Sequence, residues 1–165
     1  MASSKQKTML SAGDRAPDFE LEDLSGVRRT RSGIAGGKPV LLAFFKVSCP
    51  VCQFTFPFLE RMYRGKSNQD IAIYAISEDD AQTTLTFNAE HGITFPALLD
   101  KEQEGFPASN AYGLSHVPSI FLVEPDGVIS RSLMGFDKKG LEELGHRLGK
   151  EPFRPTEYVP EFKSG

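Results

Sequence analysis

The chain has 165 residues, of which 39% are hydrophobic and 25% are charged, and this composition is ordinary for a globular protein. A formal net charge of −3 excludes the strong positive field by which proteins bind nucleic acid. No apolar run approaches the roughly 20 residues that a membrane-spanning helix needs. We therefore expect one globular domain with no nucleic-acid partner and no membrane span.

The N-terminal segment 1–11 is polar, carries two lysines and is not followed by the apolar stretch of a signal peptide. We expect residues 1–12 to be flexible. We also expect the protein to be cytoplasmic, where surface cysteines are kept reduced. If a leader precedes this sequence, the expected location becomes the periplasm.

The first predicted element is a β-hairpin. Alternation around Phe19 and Leu21, a turn at Ser25-Gly26 and a returning strand over 27–30 indicate it. The next element, over 40–47, is an apolar run without alternation, which is typical of a strand buried on both faces of a sheet.

A long amphipathic helix is predicted over 50–64, with Gly65 as its stop. Apolar side chains at helical spacing define its expected core stripe, which consists of Val51, Phe54, Phe58, Leu59 and Met62. Phe56 lies off this stripe, so we expect it to belong to an apolar partner surface around the nearby cysteines.

The rest of the chain continues the alternation of strands and helices. The predicted elements are a strand over 71–76, a helix over 79–91, a strand over 97–99, a helical turn over 106–112, a hairpin over 119–133 and a helix carrying Leu141, Leu144 and Leu148. Beyond Gly149, three prolines exclude a regular element and predict an extended strap. The order predicts one α/β domain over 13–148, in which helices flank a mixed central sheet, with an extra N-terminal β-hairpin and a C-terminal tail over 149–165.

The most informative motif is Cys49-Pro50-Val51-Cys52, at the junction between the buried strand and the long helix. Positions i and i+3 share a helical face, so the two sulfurs can reach bonding distance. The N–H groups and partial positive charge of a helix N-terminus stabilise a thiolate on Cys49. Pro50 suits the first turn, where its missing N–H costs nothing. The motif predicts a redox dithiol, in which one thiolate attacks a disulfide and the other resolves the mixed disulfide.

Half of a structural zinc site is the alternative explanation of the two cysteines. Such a site needs two more Cys or His ligands at close spacing. The chain has no other cysteine, and His91, His116 and His146 stand singly. We therefore expect no metal.

Several short motifs, taken in order, resemble the thioredoxin superfamily. The resemblance is to the branch that joins the thiol-specific antioxidant (AhpC/TSA) proteins to the TlpA/ResA-like reductases of cytochrome maturation. It covers about residues 13–148. The matching residues are Gly13, Ala16-Pro17-Asp18-Phe19, Asp23 with Gly26, Phe44-Phe45, the cysteine motif, Pro57 and Val117-Pro118.

The resemblance implies a thioredoxin-like fold and a thiol–disulfide oxidoreductase, with Cys49 as nucleophile and Cys52 as resolving cysteine. It also implies a cis peptide bond before Pro118, and it places Val117, Pro118 and the Pro50-Val51 dipeptide at the substrate. The dithiol itself is the redox centre, so no bound cofactor is expected. The implied partners are a disulfide-containing protein and an upstream thiol reductant.

Three positions depart from the family pattern. Ser48 replaces the aromatic residue that usually precedes the first cysteine, Ala43 replaces a buried acid, and Thr55 replaces a glutamate of some relatives. Proton transfer must then use another group, such as water or Lys46. We take Lys46, Ser48 and His116 as candidate modulators of the site.

Two alternative functions belong to the same superfamily. A peroxiredoxin-like peroxidase would use Cys49 as peroxidatic and Cys52 as resolving cysteine. However, Leu42 and Lys46 stand where peroxiredoxins have proline and the peroxide-positioning threonine, and Arg131 does not fall on their arginine position. A copper-binding protein would use Cys49, Cys52 and His116. Against it, copper-delivery proteins space their cysteines by one more residue and lack a proline after this histidine.

Overall fold

The computed structural model describes residues 8–165, and its regular elements follow the predicted order. The strands are β1 (Glu20–Asp23), β2 (Arg28–Thr30), β3 (Val40–Phe45), β4 (Ala72–Ser77), β5 (Ala97–Leu99), β6 (Ser119–Val123), β7 (Ile129–Met134), β8 (Phe136–Asp137) and β9 (Phe162–Lys163). The helices are α1 (Arg31–Ala35), α2 (Pro50–Gly65), α3 (Ala81–His91), α4 (Pro107–Ala111) and α5 (Lys138–Leu148), with a 3₁₀ turn at Glu102–Glu104. Within the described residues, no helix combines the length and the apolar character that crossing a membrane requires.

Seven strands form one mixed sheet in the order β2-β1-β5-β4-β3-β6-β7. Strands β3, β4 and β5 run parallel, whereas β6 is antiparallel to β3 and β7 is antiparallel to β6. The predicted N-terminal hairpin is confirmed, and β1 also pairs antiparallel with β5. The hairpin is therefore part of the central sheet. The thioredoxin-like α/β fold is confirmed.

Strand β3 lies at the centre of the sheet, and all six of its residues are buried. Its side chains alternate between the two faces. Leu41, Ala43 and Phe45 pack in the cluster that contains α2 and α5, while the other three pack with Phe19 and Tyr112 on the opposite face. Helices thus cover both faces of the strand that leads to the cysteine motif, as the unbroken apolar run predicts.

The predicted core stripe of α2 packs on the core, with Leu59 and Met62 fully buried, but the stripe omits Phe56. Phe56 is fully buried, and its ring centroid lies 4.4 Å from that of Phe45 and 5.7 Å from that of Phe95. Phe54 and Phe58 are only partly buried. Helix α2 has two apolar stripes. The sheet covers one of them, and Phe136 of β8 and the C-terminal tail cover the other. Phe56 therefore belongs to the core and not to a partner surface.

The tail after Gly149 is the extended strap that the prolines predict, with one correction. Phe162–Lys163 forms strand β9, which pairs antiparallel with Phe136–Asp137. The expectation that no regular element follows Gly149 is therefore wrong. The last proline, Pro160, precedes β9, so the backbone N–H groups that a strand needs are present there.

The N-terminal segment is described only in part, because residues 1–7 lie outside the described residues. In the part that is described, the Leu10 N–H donates to the Tyr112 carbonyl over 3.1 Å. Met9 and Leu10 also pack against the core on the α4 side of the sheet. Helix α1, which the sequence analysis did not predict, begins after Thr30, whose hydroxyl accepts the Gly33 N–H.

Candidate active site

Cys49 is the N-cap residue of α2, four residues beyond the end of β3. Its sulfur accepts the backbone N–H of Cys52 over 3.2 Å, so it lies where the helix offers free donors. Pro50 occupies the first turn of the helix. The buried strand and the amphipathic helix thus place the motif at the predicted junction, and both cysteines are free thiols.

The two thiols lie in different environments. Cys49 is partly buried and lines a cavity of about 520 Å³, whereas Cys52 is fully buried in the core. Burial raises the pKa of the Cys52 thiol, and its hydrogen bond with Cys49 raises that pKa further. Cys52 is therefore a protonated thiol near neutral pH, and it must lose a proton before it can attack a disulfide.

The loop before β6 forms a second wall of the cavity. The Val117–Pro118 peptide bond is cis, as the resemblance implies. The Cys49 thiol donates to the carbonyl oxygen of Val117 over 3.4 Å, so this loop touches the first cysteine directly. Pro118 is buried behind the loop. Val51 packs partly against the core and is not among the residues that line the cavity.

Glu78 is the site residue that the sequence analysis missed. It follows the end of β4, and it lines the cavity together with Cys49 and Lys46. Burial raises the pKa of Glu78, and the negative charge of Asp100 adds to this effect. A signal was present in the sequence, because the succession of strand, helix and strand favours parallel neighbours. Strands β3 and β4 pair in this way, so the residues that follow them meet at one edge of the sheet.

Lys46 contacts Glu78, with 3.5 Å between its Nζ atom and Oε2 of the carboxylate. On the other side, the Ser109 hydroxyl lies 2.6 Å from Asp100 Oδ2 and 3.2 Å from Glu78 Oε1. The Ser109 hydroxyl has one proton, and it donates this proton to Asp100 over the shorter of the two contacts. A protonated Glu78 can then donate to the Ser109 oxygen, so both protonation states of Glu78 have a partner in the site.

The other two candidate modulators differ in position. His116 is exposed and lines the cavity, and its Nδ1 atom lies 2.9 Å from the Ser115 hydroxyl. Ser48 is exposed and is not among the residues that line the cavity. Across residues 8–165, no three His, Cys, Asp or Glu side chains are grouped closely enough to hold a metal ion.

The positions that peroxiredoxins use for peroxide carry other side chains here. Leu42 is fully buried in β3, and Lys46 brings an ammonium group that contacts Glu78 in place of a hydroxyl. Arg131 on β7 is 3.5 Å from Glu143 and is not among the residues that line the cavity. The site thus lacks the hydroxyl and guanidinium donors that would bind a peroxide oxygen at those positions.

A helix-capping cysteine, a buried partner thiol and a facing cis-proline loop on this sheet define a thioredoxin-like dithiol protein. The chain belongs to the AhpC/TSA family, whose model matches residues 12–132.

Individual relatives agree with this assignment. The chain is 31% identical over 131 residues to the thiol-disulfide oxidoreductase ResA of Geobacillus thermodenitrificans, covering 79% of this chain and 73% of the relative. It is also 31% identical over 130 residues to ResA of Bacillus subtilis, covering 78% and 70%. The thioredoxin domain of a Bacteroides vulgatus thiol-disulfide oxidoreductase superposes with a TM-score of 0.73 at 23% identity, covering 84% of this chain and 97% of that one.

Proposed function

We propose that this protein is a thiol–disulfide oxidoreductase that exchanges disulfides with a protein or small-thiol substrate through Cys49 and Cys52. The observation that carries the proposal is the asymmetry of the two thiols. The Cys49 sulfur caps α2 and opens onto the cavity, while Cys52 is buried directly behind it. One sulfur is thus available to a substrate, and the other is available only to its partner. The names of the ResA relatives support the same activity.

The first step is attack of the Cys49 thiolate on one sulfur of the substrate disulfide. A bond forms between Cys49 and that sulfur, and the other substrate sulfur leaves as a thiolate. The Cys52 N–H, which the Cys49 sulfur accepts, stabilises the negative charge before the attack. The backbone of Val117, which contacts Cys49, offers polar groups to the incoming chain.

The second step is attack of Cys52 on the Cys49 sulfur. Cys52 first gives up its proton, the Cys49–Cys52 bond forms, and the second substrate sulfur leaves. Two electrons have then passed from the protein to the substrate, which becomes two thiols. We propose that this dithiol needs no bound cofactor, and that an upstream thiol reductant restores it in a reducing compartment such as the cytoplasm.

The experiment that tests this function follows exchange without oxygen. Fully reduced protein is mixed with a peptide that contains one disulfide, and both products are measured by mass spectrometry. We expect one reduced peptide and one Cys49–Cys52 disulfide per chain. Reduced peptide without the internal disulfide, or no reduced peptide at all, contradicts the proposal.

We propose Glu78 as the group that accepts the Cys52 proton. Burial raises its pKa and makes it a stronger base than an ordinary carboxylate, and its negative charge contributes to the raised pKa of Cys52. Glu78 accepts a proton only when ionised, so the second step should accelerate as the pH rises through the pKa of Glu78. We expect Glu78→Gln to slow this step by about 100-fold near neutral pH and to remove this acceleration.

The measurement is the decay of a preformed mixed disulfide on Cys49 between pH 4 and pH 9 (roughly the range over which both thiols and carboxylates titrate). Glu90→Gln, on the exposed surface of α3, is the matched control and should leave the profile unchanged. If Glu78→Gln keeps the wild-type profile, Glu78 is not the proton acceptor.

The peroxidase alternative has a separate test. We expect reduced protein mixed with hydrogen peroxide in a stopped-flow instrument to oxidise no faster than a free thiol. The reason is that Leu42 and Lys46 offer no hydroxyl to the peroxide, and Arg131 on β7 pairs with Glu143 of α5. Fast oxidation that disappears in Cys49→Ser would instead assign the protein to the peroxidases.

A further inference from the structure

The C-terminal segment 161–165 reaches the cavity that contains Cys49. Strand β9 first pairs with β8, with Lys163 opposite Phe136 and Phe162 opposite Asp137. The Lys138 N–H donates to the Glu161 carbonyl over 3.0 Å and extends this pairing. Beyond β9, the backbone continues to Gly165, which lines the cavity together with Cys49 and Val117.

Two close backbone approaches fix the path of this segment. Gly135, with a φ of +71°, leaves no room for a Cβ because the Lys163 carbonyl lies against it. Gly165 likewise leaves no room for a Cβ, because the Val117 carbonyl oxygen is in the way. The Val117 oxygen is also the atom that the Cys49 thiol contacts. The segment therefore lies on the backbone group that the mechanism offers to a substrate.

We propose that residues 161–165 lie where an extended substrate polypeptide binds, along β8 and across the Val117 carbonyl. We call this path the groove, and we expect tail and substrate to compete for it. This proposal rests on the proposed function and identifies its substrate as a polypeptide in extended conformation. Such a substrate adds a strand to β8 in place of β9. It presents a small residue to Val117, because Gly165 is the residue that fits there.

The part of the tail that precedes the groove is firmly attached. The Phe153 ring packs edge-on against Phe58 with centroids 4.9 Å apart. The Arg61 guanidinium donates to both carboxylate oxygens of Glu157 over 2.6 and 3.0 Å and holds the pKa of Glu157 at about 2. Val159 is buried in the core. These contacts keep the segment up to Val159 in place.

The segment in the groove is held more weakly. The contacts of its charged side chains are the largely exposed ion pair between Lys138 and Glu161, at 3.5 Å, and the approach of the Lys163 ammonium to within 5.2 Å of the Phe54 ring centre. Such exposed pairs contribute little to stability. Phe162 is 55% exposed. Because the preceding segment stays attached, residues 161–165 can leave the groove without unfolding the domain, and they remain nearby at high effective concentration.

The test compares wild-type protein with Gly165→Val and with Tyr158→Ala. The valine side chain collides with the Val117 carbonyl and expels the segment, whereas Tyr158 is a tail residue that is 95% exposed. We measure the rate of exchange with a disulfide-containing peptide and the rate of Cys49 labelling by a bulky maleimide. If the groove is open about a tenth of the time in the wild type, Gly165→Val should raise both rates by about tenfold. Tyr158→Ala should match the wild type.

A second arm adds the free peptide Glu-Phe-Lys-Ser-Gly to the Gly165→Val protein. We expect this peptide to restore slow exchange and slow labelling in a concentration-dependent way. Unchanged rates in Gly165→Val, or no effect of the peptide, overturn the proposal even if the wild type exchanges disulfides normally. If no variant exchanges disulfides but labelling still accelerates tenfold and responds to the peptide, the groove is occupied as proposed and the oxidoreductase function fails.

Discussion

Cys49→Ser should abolish disulfide exchange, and Cys52→Ser should stop the reaction at the mixed disulfide. A serine hydroxyl at position 49 is a far weaker nucleophile than a thiolate, so we expect the rate to fall by a factor of about 10³ or more. Cys52→Ser keeps the Cys49 nucleophile, because Cys52 is fully buried and its backbone N–H still donates to the Cys49 sulfur. It removes only the sulfur that releases the substrate.

The measurement is the mass of the protein after reaction with a disulfide-containing peptide. Cys52→Ser should carry one peptide per chain, bound to Cys49 and released by dithiothreitol. The Cys49→Ser protein is the matched control and should carry none, since its remaining thiol is buried and protonated. An adduct on Cys52 in the control, or no adduct in Cys52→Ser, contradicts the assigned roles.

Phe56→Ala should destabilise the protein more than a truncation of any exposed apolar side chain. Phe56 is fully buried and packs against the rings of Phe45, Phe87 and Phe95. Removing such a side chain leaves a cavity that the surrounding rings fill only in part. We expect a loss of about 3–5 kcal/mol in the free energy of unfolding.

Denaturant unfolding monitored by circular dichroism measures this loss. Leu85→Ala, at a position 46% exposed on α3, is the control and should change the free energy of unfolding by no more than about 0.5 kcal/mol. Equal effects of the two variants would mean that Phe56 is not in the core. If Phe56 belonged to a partner surface, Phe56→Ala would affect stability no more than Leu85→Ala and would slow exchange with a protein substrate.

Much of the fold could be predicted because its signals are local. The unbroken apolar run of β3 predicts a strand covered on both faces, and β3 is the fully buried centre of the sheet. The spacing of Leu141, Leu144 and Leu148 predicts α5, in which all three are buried. In both cases the apolar pattern of a single segment shows which of its faces are buried, because one neighbouring layer covers each buried face.

The apolar spacing of α2 did not predict the burial of Phe56, because two different layers pack against this helix. On α2, Phe54 and Phe58 have the same spacing as a core pair, yet the sheet buries Phe56. The pair packs on the edge of the same core, with centroid distances of 4.9 Å for Phe54 with Phe136 and for Phe58 with Phe153. Which stripe faces the sheet is decided by the packing of α2 against β3, β8 and the tail. These packing partners are distant in sequence, so the local pattern of α2 does not show which stripe faces the sheet.

The sequence by itself determined the chemistry of this protein. Two cysteines separated by two residues, between a buried strand and an amphipathic helix, specify a dithiol at a helix N-terminus, because strand, turn and helix signals are contiguous along the chain. The tertiary structure decided how distant groups meet at that dithiol, among them Val117, which the family resemblance implies. It brought Glu78 from the next parallel strand, Val117 from a loop 68 residues away, and residues 161–165 from the tail. Contacts between distant segments form only when the whole sheet and its covering layers assemble.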